Sequence, residues 1–158
     1  MKRLYIILLC ALAVCMAASA QNSDKLYKEA KALYDAKNYA AAVPKLKVAA
    51  EKGHKKAQYR LGRCYDKGHG MAENNSLAFQ WYMKSAKQGY GKAQYHLGKC
   101  YMKGKGVTAD QKKATSWLKK AVKNEKSGKE ILAKIRKDAA AGDADAKAML
   151  RLVNEFQY

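Results

Sequence analysis

Two stretches of the chain, residues 57–92 and 93–128, align without a gap at a period of 36 residues. Ala57-Gln58-Tyr59-Arg60-Leu61-Gly62-Arg63-Cys64-Tyr65 stands against Ala93-Gln94-Tyr95-His96-Leu97-Gly98-Lys99-Cys100-Tyr101. Gly68, Gly70, Ala78, Trp81 and Lys84 then meet Gly104, Gly106, Ala114, Trp117 and Lys120. Fourteen of the thirty-six paired positions are identical, far beyond chance, so the chain contains a tandem repeat. A period of this length marks a supersecondary unit that buries its apolar face only by stacking on its neighbours.

The matched positions have mechanical uses. Ala57, Leu61, Cys64 and Tyr65 fall at helical spacing and share one face, as do Ala93, Leu97, Cys100 and Tyr101. Gly62 and Gly98 sit in the middle of these helices, where glycine costs about 0.5–1 kcal/mol relative to alanine. Close approach of a second helix is the usual reason to accept that cost. Gly68-x-Gly70 and Gly104-x-Gly106 end the first helix and allow positive φ at the turn. Asn74 and Asp110 are equivalent, and both residue types cap helix starts well. Beyond them Leu77, Ala78, Trp81, Tyr82 and Ser85 mark the inner face of a second helix, matched by Ala114, Trp117, Leu118 and Ala121.

The pattern Ala-x-x-x-Leu-Gly-x-x-Tyr-x-x-Gly-x-Gly-Val, then Asp, then Lys-Ala-x-x-Trp-x-x-Lys-Ala, resembles the Sel-one-like repeat, a relative of the tetratricopeptide repeat. Residues 93–121 carry it almost whole, including Val107, Asp110, Lys113 and Ala114. Residues 57–89 carry it with Met71, Asn74 and Leu77 in place of the valine, aspartate and lysine. The resemblance implies an all-α fold, a right-handed α-solenoid of antiparallel helix pairs. It also implies a concave groove lined by the first helix of each pair.

Weaker units flank the pair. Leu26, Tyr27, Ala30, Leu33 and Tyr34 form an amphipathic stripe, followed by a short turn at Asp35–Asn38 and a second stripe of Tyr39, Ala42, Leu46 and Ala49. Residues 21–56 thus read as a tetratricopeptide-like unit, with Pro44 near the first turn of its second helix, where an early N–H lacks a partner anyway. In residues 129–158, Ile131, Leu132 and Ile135, then Ala146, Met149, Leu150, Val153 and Phe156, mark two capping helices separated by Gly142-Asp143. About eight helices are expected in all.

Residues 1–20 read as a secretory signal peptide: Lys2 and Arg3, an apolar run from Leu4 to Met16, and Ala18-Ser19-Ala20 before a cleavage point at Gln21. The run is shorter than the roughly 20 residues a membrane-spanning helix needs. A retained anchor, or lipidation at Cys10 or Cys15 behind the bulky Leu9 or Val14, is the weaker reading. The mature chain is therefore expected in the periplasm or secreted. Losing Lys2 and Arg3 lowers the 32 basic residues to 30 against 13 acids, a charge of +17. Such an excess suits an acidic protein, an anionic envelope polymer or a membrane surface, or is simply a solubilising lysine surface. Nucleic acid is disfavoured by export and by the absence of a recognition motif.

Chemistry-bearing residues are few. Cys64 and Cys100 are repeat-equivalent, hence on the order of 10 Å apart at helix packing distances, whereas a disulfide needs Cα atoms about 4.4–6.8 Å apart. Buried thiols are expected. His54, His69 and His96 show no His-x-x-x-His spacing, and no Cys-x-x-Cys occurs, so neither a metal nor a cofactor is expected. Ser116-Trp117-Leu118-Lys119 with Lys126-Ser127-Gly128 has the outline of Ser-x-x-Lys and Lys-Ser/Thr-Gly elements. Ser116 and Lys119 correspond to Gln80 and Met83, a variable part of the repeat, so the chain reads as a non-enzyme. Some exported relatives are classed as β-lactamase-like, which keeps β-lactam chemistry as the weakest reading.

The first-helix positions Gln58, Arg60, Arg63 and Lys67 recur as Gln94, His96, Lys99 and Lys103, and are read as exposed. The resemblance puts them on the concave groove, a basic strip able to hold an acidic protein or peptide through charge-assisted hydrogen bonds. The expected function is an exported scaffold for protein–protein interaction. The alternative is a module for an anionic envelope polymer or surface.

Overall fold

A computed structural model describes residues 21–154 of the 158-residue chain. The expected signal peptide with Cys10 and Cys15, and Phe156 of the last apolar stripe, lie outside the described residues. Helix α1 occupies 21–35. It is followed by α2 (Tyr39–Glu51), α3 (Lys55–Lys67), α4 (Asn75–Lys87), α5 (Gly91–Lys103), α6 (Gln111–Val122), α7 (Gly128–Ala140) and α8 (Ala144–Asn154). No strand occurs among the described residues. Each of α2 to α6 packs against the next helix in sequence, α7 pairs with α8, and both close against α6. The result is a solenoid of helix pairs.

The helix boundaries follow local chemistry. Asn74 and Asp110 cap α4 and α6, each accepting a backbone N–H three residues on at 2.9 Å. Gly68 and Gly104 close α3 and α5 in the left-handed region, at φ 64° and 69°. The α3 cap is one the sequence pattern did not suggest: His54 Nδ1 accepts the Ala57 N–H at 3.1 Å. Its Nε2 meets Asp24 Oδ1 at 3.1 Å, so one neutral tautomer serves both contacts.

Close approach explains the mid-helix glycines. A Cβ on Gly62 would stand 2.8 Å from two Tyr82 ring carbons and 3.3 Å from the Ala78 carbonyl oxygen. On Gly98 it would meet Leu118 at 2.7 Å and the Ala114 carbonyl at 3.3 Å. The second glycine of each turn joins successive repeats. Gly70 lies against the Tyr39 backbone at the start of α2, and Gly106 against the Asn75 backbone at the start of α4, one period later.

The core has three parts. One joins Ala30 and Tyr34 to Ala42, Leu46, Ala57, Leu61 and Cys64. The second joins Ala78, Tyr82, Ala93, Leu97 and Ala114, and the third joins Leu118 to Ile131, Ile135, Met149 and Val153. Tyr65, Trp81 and Trp117 pack at the edges of these clusters, partly buried. Pro44 departs from expectation. It is the sixth residue of α2, not in the first turn, so its missing N–H removes a bond that the Ala40 carbonyl would otherwise receive. Its ring is exposed, and water can reach the freed carbonyl side.

Candidate functional site

The face formed by α3, α5 and α7 holds a groove of about 490 Å³. Tyr59, Tyr95, His96 and Ile131 line its base, with Arg63, Lys67 and Lys99 alongside. A smaller hollow of about 240 Å³ shares Lys67, His96 and Lys99 and runs on to Asp66, Lys103 and Lys105. The two form one trough. Local helical spacing puts Tyr59, Arg63 and Lys67 on one α3 face and Tyr95, Lys99 and Lys103 on the matching α5 face.

The eight sequence-derived groove residues divide sharply. Gln58 and Gln94 are buried, not exposed as the polar pattern suggested. Gln58 Nε2 donates to the Ala50 carbonyl at 3.1 Å and Gln94 Nε2 to the Ala86 carbonyl at 3.4 Å. Each thus ties a first helix to the end of the second helix before it. Arg60 is also committed inside the molecule: its guanidinium meets Asp35 at 3.1 Å, donates to the Tyr27 hydroxyl at 3.3 Å and lies over the Tyr34 ring. Lys103 pairs with Asp145.

Arg63, Lys67 and Lys99 remain. Arg63 and Lys99 face aromatic rings, Tyr34 at 5.9 Å and Tyr95 at 5.7 Å, and neither pairs with a carboxylate among the described residues. Lys67 is exposed and makes a loose 3.9 Å contact with Asp66. Burial raises the Asp66 carboxyl, but the hydrogen bond and charge of Lys105 outweigh it and hold the group below its ordinary value. Tyr82 donates to the same carboxylate at 3.4 Å.

His96 is no surface hydrogen-bonder. Its ring is enclosed by Tyr59, Tyr82 and Tyr95, with Nε2 3.3 Å from the Tyr59 hydroxyl. Burial drives its pKa down to about 3, against the pull of Asp66. The imidazole is therefore a neutral wall of the trough.

The strip is also less uniformly basic than expected. Its far wall carries Glu130, Asp138 and Asp143 from α7 and the turn after it. Glu130 pairs with Lys92 at 3.0 Å and Asp138 with Lys134 at 2.6 Å, while Asp143 caps α8 through the Ala146 N–H. These acids come from the C-terminal capping segment, where no repeat register announces them.

The other chemical candidates lie elsewhere. Cys64 and Cys100 are free, buried thiols, pushed up by burial to about 11 and about 12. Ser116 is exposed on α6, a second helix outside the trough. Ser127 starts α7 and its hydroxyl donates to Asn124. Among the described residues no group of three or more His, Cys, Asp or Glu is placed to hold a metal ion.

The Sel1 repeat profile matches residues 55–90 and 91–125, the helix pairs α3–α4 and α5–α6. The fold is similar to the crystal structure of a Sel1 repeat protein from Oxalobacter formigenes, with TM-score 0.62 and 32% identity over 82% of this chain and 55% of that one. It is also similar to the crystal structure of c5321, a protective antigen present in uropathogenic Escherichia coli strains and displaying an SLR fold. There the TM-score is 0.63 and the identity 26%, over 83% of this chain and 28% of that one. The chain thus spans about half of the first protein's length and about a quarter of the second's. Comparison with curated proteins returned no match. The glycine-dependent helix pairing, the duplicated turn and these matches together identify residues 55–125 as two consecutive Sel1 repeats within an α-solenoid.

Proposed function

We propose that this protein is an exported, non-enzymatic scaffold that holds an acidic segment of a partner protein in the trough between α3, α5 and α7. Sel1 repeat proteins generally mediate protein–protein interaction, which supports the class of function. One observation carries the site: Arg63 and Lys99 line the trough without carboxylate partners among the described residues, above an aromatic base. A partner carboxylate would complete both cations through charge-assisted hydrogen bonds, and the buried Tyr59 and Tyr95 give the trough a rigid floor. The acids of the far wall favour a segment of mixed charge over a uniform polyanion. Export rests on residues 1–20, and its check is the N-terminus of the secreted or periplasmic product, expected at Gln21.

Affinity capture from envelope extracts tests the reading. The wild-type protein should retain a discrete partner that Arg63→Glu with Lys99→Glu fails to retain. Undiminished capture by the double variant would overturn the trough as the site.

A further inference from the structure

The second helices present a different surface. α4 and α6 carry Lys84, Lys87, Lys112, Lys113, Lys119 and Lys120 and no acidic residue. Lys113 is tied to the Asp110 cap at 3.2 Å. Lys84, Lys87, Lys112 and Lys120 are exposed and form no ion pair among the described residues. The acids nearest in sequence, Glu73, Asp110 and Glu125, all lie in the turns.

Two of these lysines are paired with indoles at equivalent positions of the two repeats. Lys84 Nζ lies 4.2 Å from the Trp81 ring centre, and Lys120 Nζ lies 4.5 Å from that of Trp117, one period later. Both indoles are partly buried at the core's edge, so each sits in the surface with an ammonium above it. On α2 the exposed residues Ala41, Pro44 and Val48 follow helical spacing beside Lys47, and the exposed Glu51 at the helix end is the one acid that α2 brings to this face. Val48, at 41% exposure, is the one exposed large apolar residue among those described.

We infer that the face built from α2, α4 and α6 docks on an anionic phospholipid bilayer, with its lysines at the lipid phosphates and its tryptophan edges at headgroup level. The match is chemical. Tryptophan favours the headgroup layer, where an amphipathic ring is half solvated, and lysines gain there from the negative surface potential. A soluble polyanion would use the lysines and leave the indoles idle. No helix among the described residues is long and apolar enough to cross a membrane, so the contact is superficial.

The chain has two tryptophans, both on this face, so its own fluorescence reports docking. The purified protein is mixed with phosphatidylcholine vesicles, with and without phosphatidylglycerol, and with brominated chains. Association that needs phosphatidylglycerol, with tryptophan emission quenched by the brominated chains, is the expected result. Lys84→Gln, Lys112→Gln and Lys120→Gln should each weaken partitioning about fivefold, the equivalent of about 1 kcal/mol per charge at such a surface. Arg63→Gln and Lys99→Gln change net charge equally in the trough and should leave it unchanged. Equal weakening by the trough variants would overturn the inference, because binding would then follow net charge alone. So would unquenched emission, or equal binding to a soluble anionic polysaccharide with no dependence on the indoles.

Discussion

The Asn124 amide donates to the Gly89 carbonyl at 2.9 Å but does not reach Gln94, whose Oε1 is the one buried side-chain polar atom without a partner among the described residues. One period earlier, Gln88 donates to the Gly53 carbonyl at 2.9 Å and also to Gln58 Oε1 at 2.7 Å. The difference is one methylene. Asn124 also accepts the backbone N–H groups of Lys126 and Ser127 with its own oxygen, which ties it to the start of α7. The same inter-repeat joint is therefore complete in one place and short of a donor in the next.

That asymmetry predicts unequal costs for the same change. Gln58→Met removes an amide bonded at both its nitrogen and its oxygen, leaving Gln88 with the Gly53 carbonyl alone, whereas Gln94→Met removes a long hydrogen bond together with an unpaired acceptor. A satisfied hydrogen bond contributes about 0.5–1.5 kcal/mol, while replacing a poorly satisfied polar group is close to neutral. Urea unfolding should show a clear loss for Gln58→Met and little for Gln94→Met. Gln88→Asn should reproduce the defect in the first joint at a similar cost. Equal losses at positions 58 and 94 would contradict the account.

Gly62→Ala and Gly98→Ala should both destabilise the fold, against the usual trend. In an open helix this exchange gains about 0.5–1 kcal/mol, but forcing an extra methyl into a packed interface costs about 1–3 kcal/mol. The added Cβ at 62 meets the rigid Tyr82 ring; at 98 it meets Cγ and Cδ2 of Leu118, an aliphatic side chain that can turn further than a ring. The loss should therefore be larger at 62. Leu118→Ala opens the space, so a double-mutant cycle with Gly98→Ala should show strong favourable coupling. Additive losses in thermal unfolding would show that close approach is not the cause.

These contrasts mark what was legible in the sequence. Gly62, Gly98, the two Gly-x-Gly turns and the Asn74 and Asp110 caps obey rules that act within a few residues, and the repeat displayed each rule twice. Gln58 and Gln94 were misassigned to the surface because the helical pattern classes any amide as polar, while their partners, the Ala50 and Ala86 carbonyls, belong to other helices. One signal was available. Both positions keep glutamine while Arg60 becomes His96 and Arg63 becomes Lys99, the behaviour of a joint and not of a solvated face. Arg60 and Lys103 looked available because Asp35 and Asp145 reach them from units outside the repeat register. The acidic wall of the trough was invisible for the same reason.

Cys64 and Cys100 should be silent toward a polar thiol reagent near neutral pH and fully reactive in denaturant. Both are enclosed in the core and held as thiols well above the ordinary cysteine value, and only the thiolate attacks. Labelling should therefore track global opening, and destabilising variants such as Gly62→Ala should label faster in proportion. Rapid labelling of the native wild type would place a thiol at an accessible surface and refute the core assignment.

Acid sensitivity should centre on His96. Burial holds the folded-state value at about 3; Asp66 opposes, and Arg63, Lys99 and Lys67 add to the depression. An unfolded histidine titrates near about 6.5. Between those values the unfolded chain takes up a proton that the folded chain refuses. The contribution to stability is complete above about pH 6.5 and is lost as pH falls through the window, amounting to about 2 kcal/mol by about pH 5. His54 and His69 are also depressed, first by burial, and add a smaller slope of the same sign. His96→Phe keeps a flat ring among Tyr59, Tyr82 and Tyr95 but cannot titrate. Its unfolding free energy should fall less steeply between about pH 7 and about pH 5, a range above most carboxylate titration. Parallel slopes for wild type and variant would mean that His96 is not the group whose exclusion from water sets the acid limit.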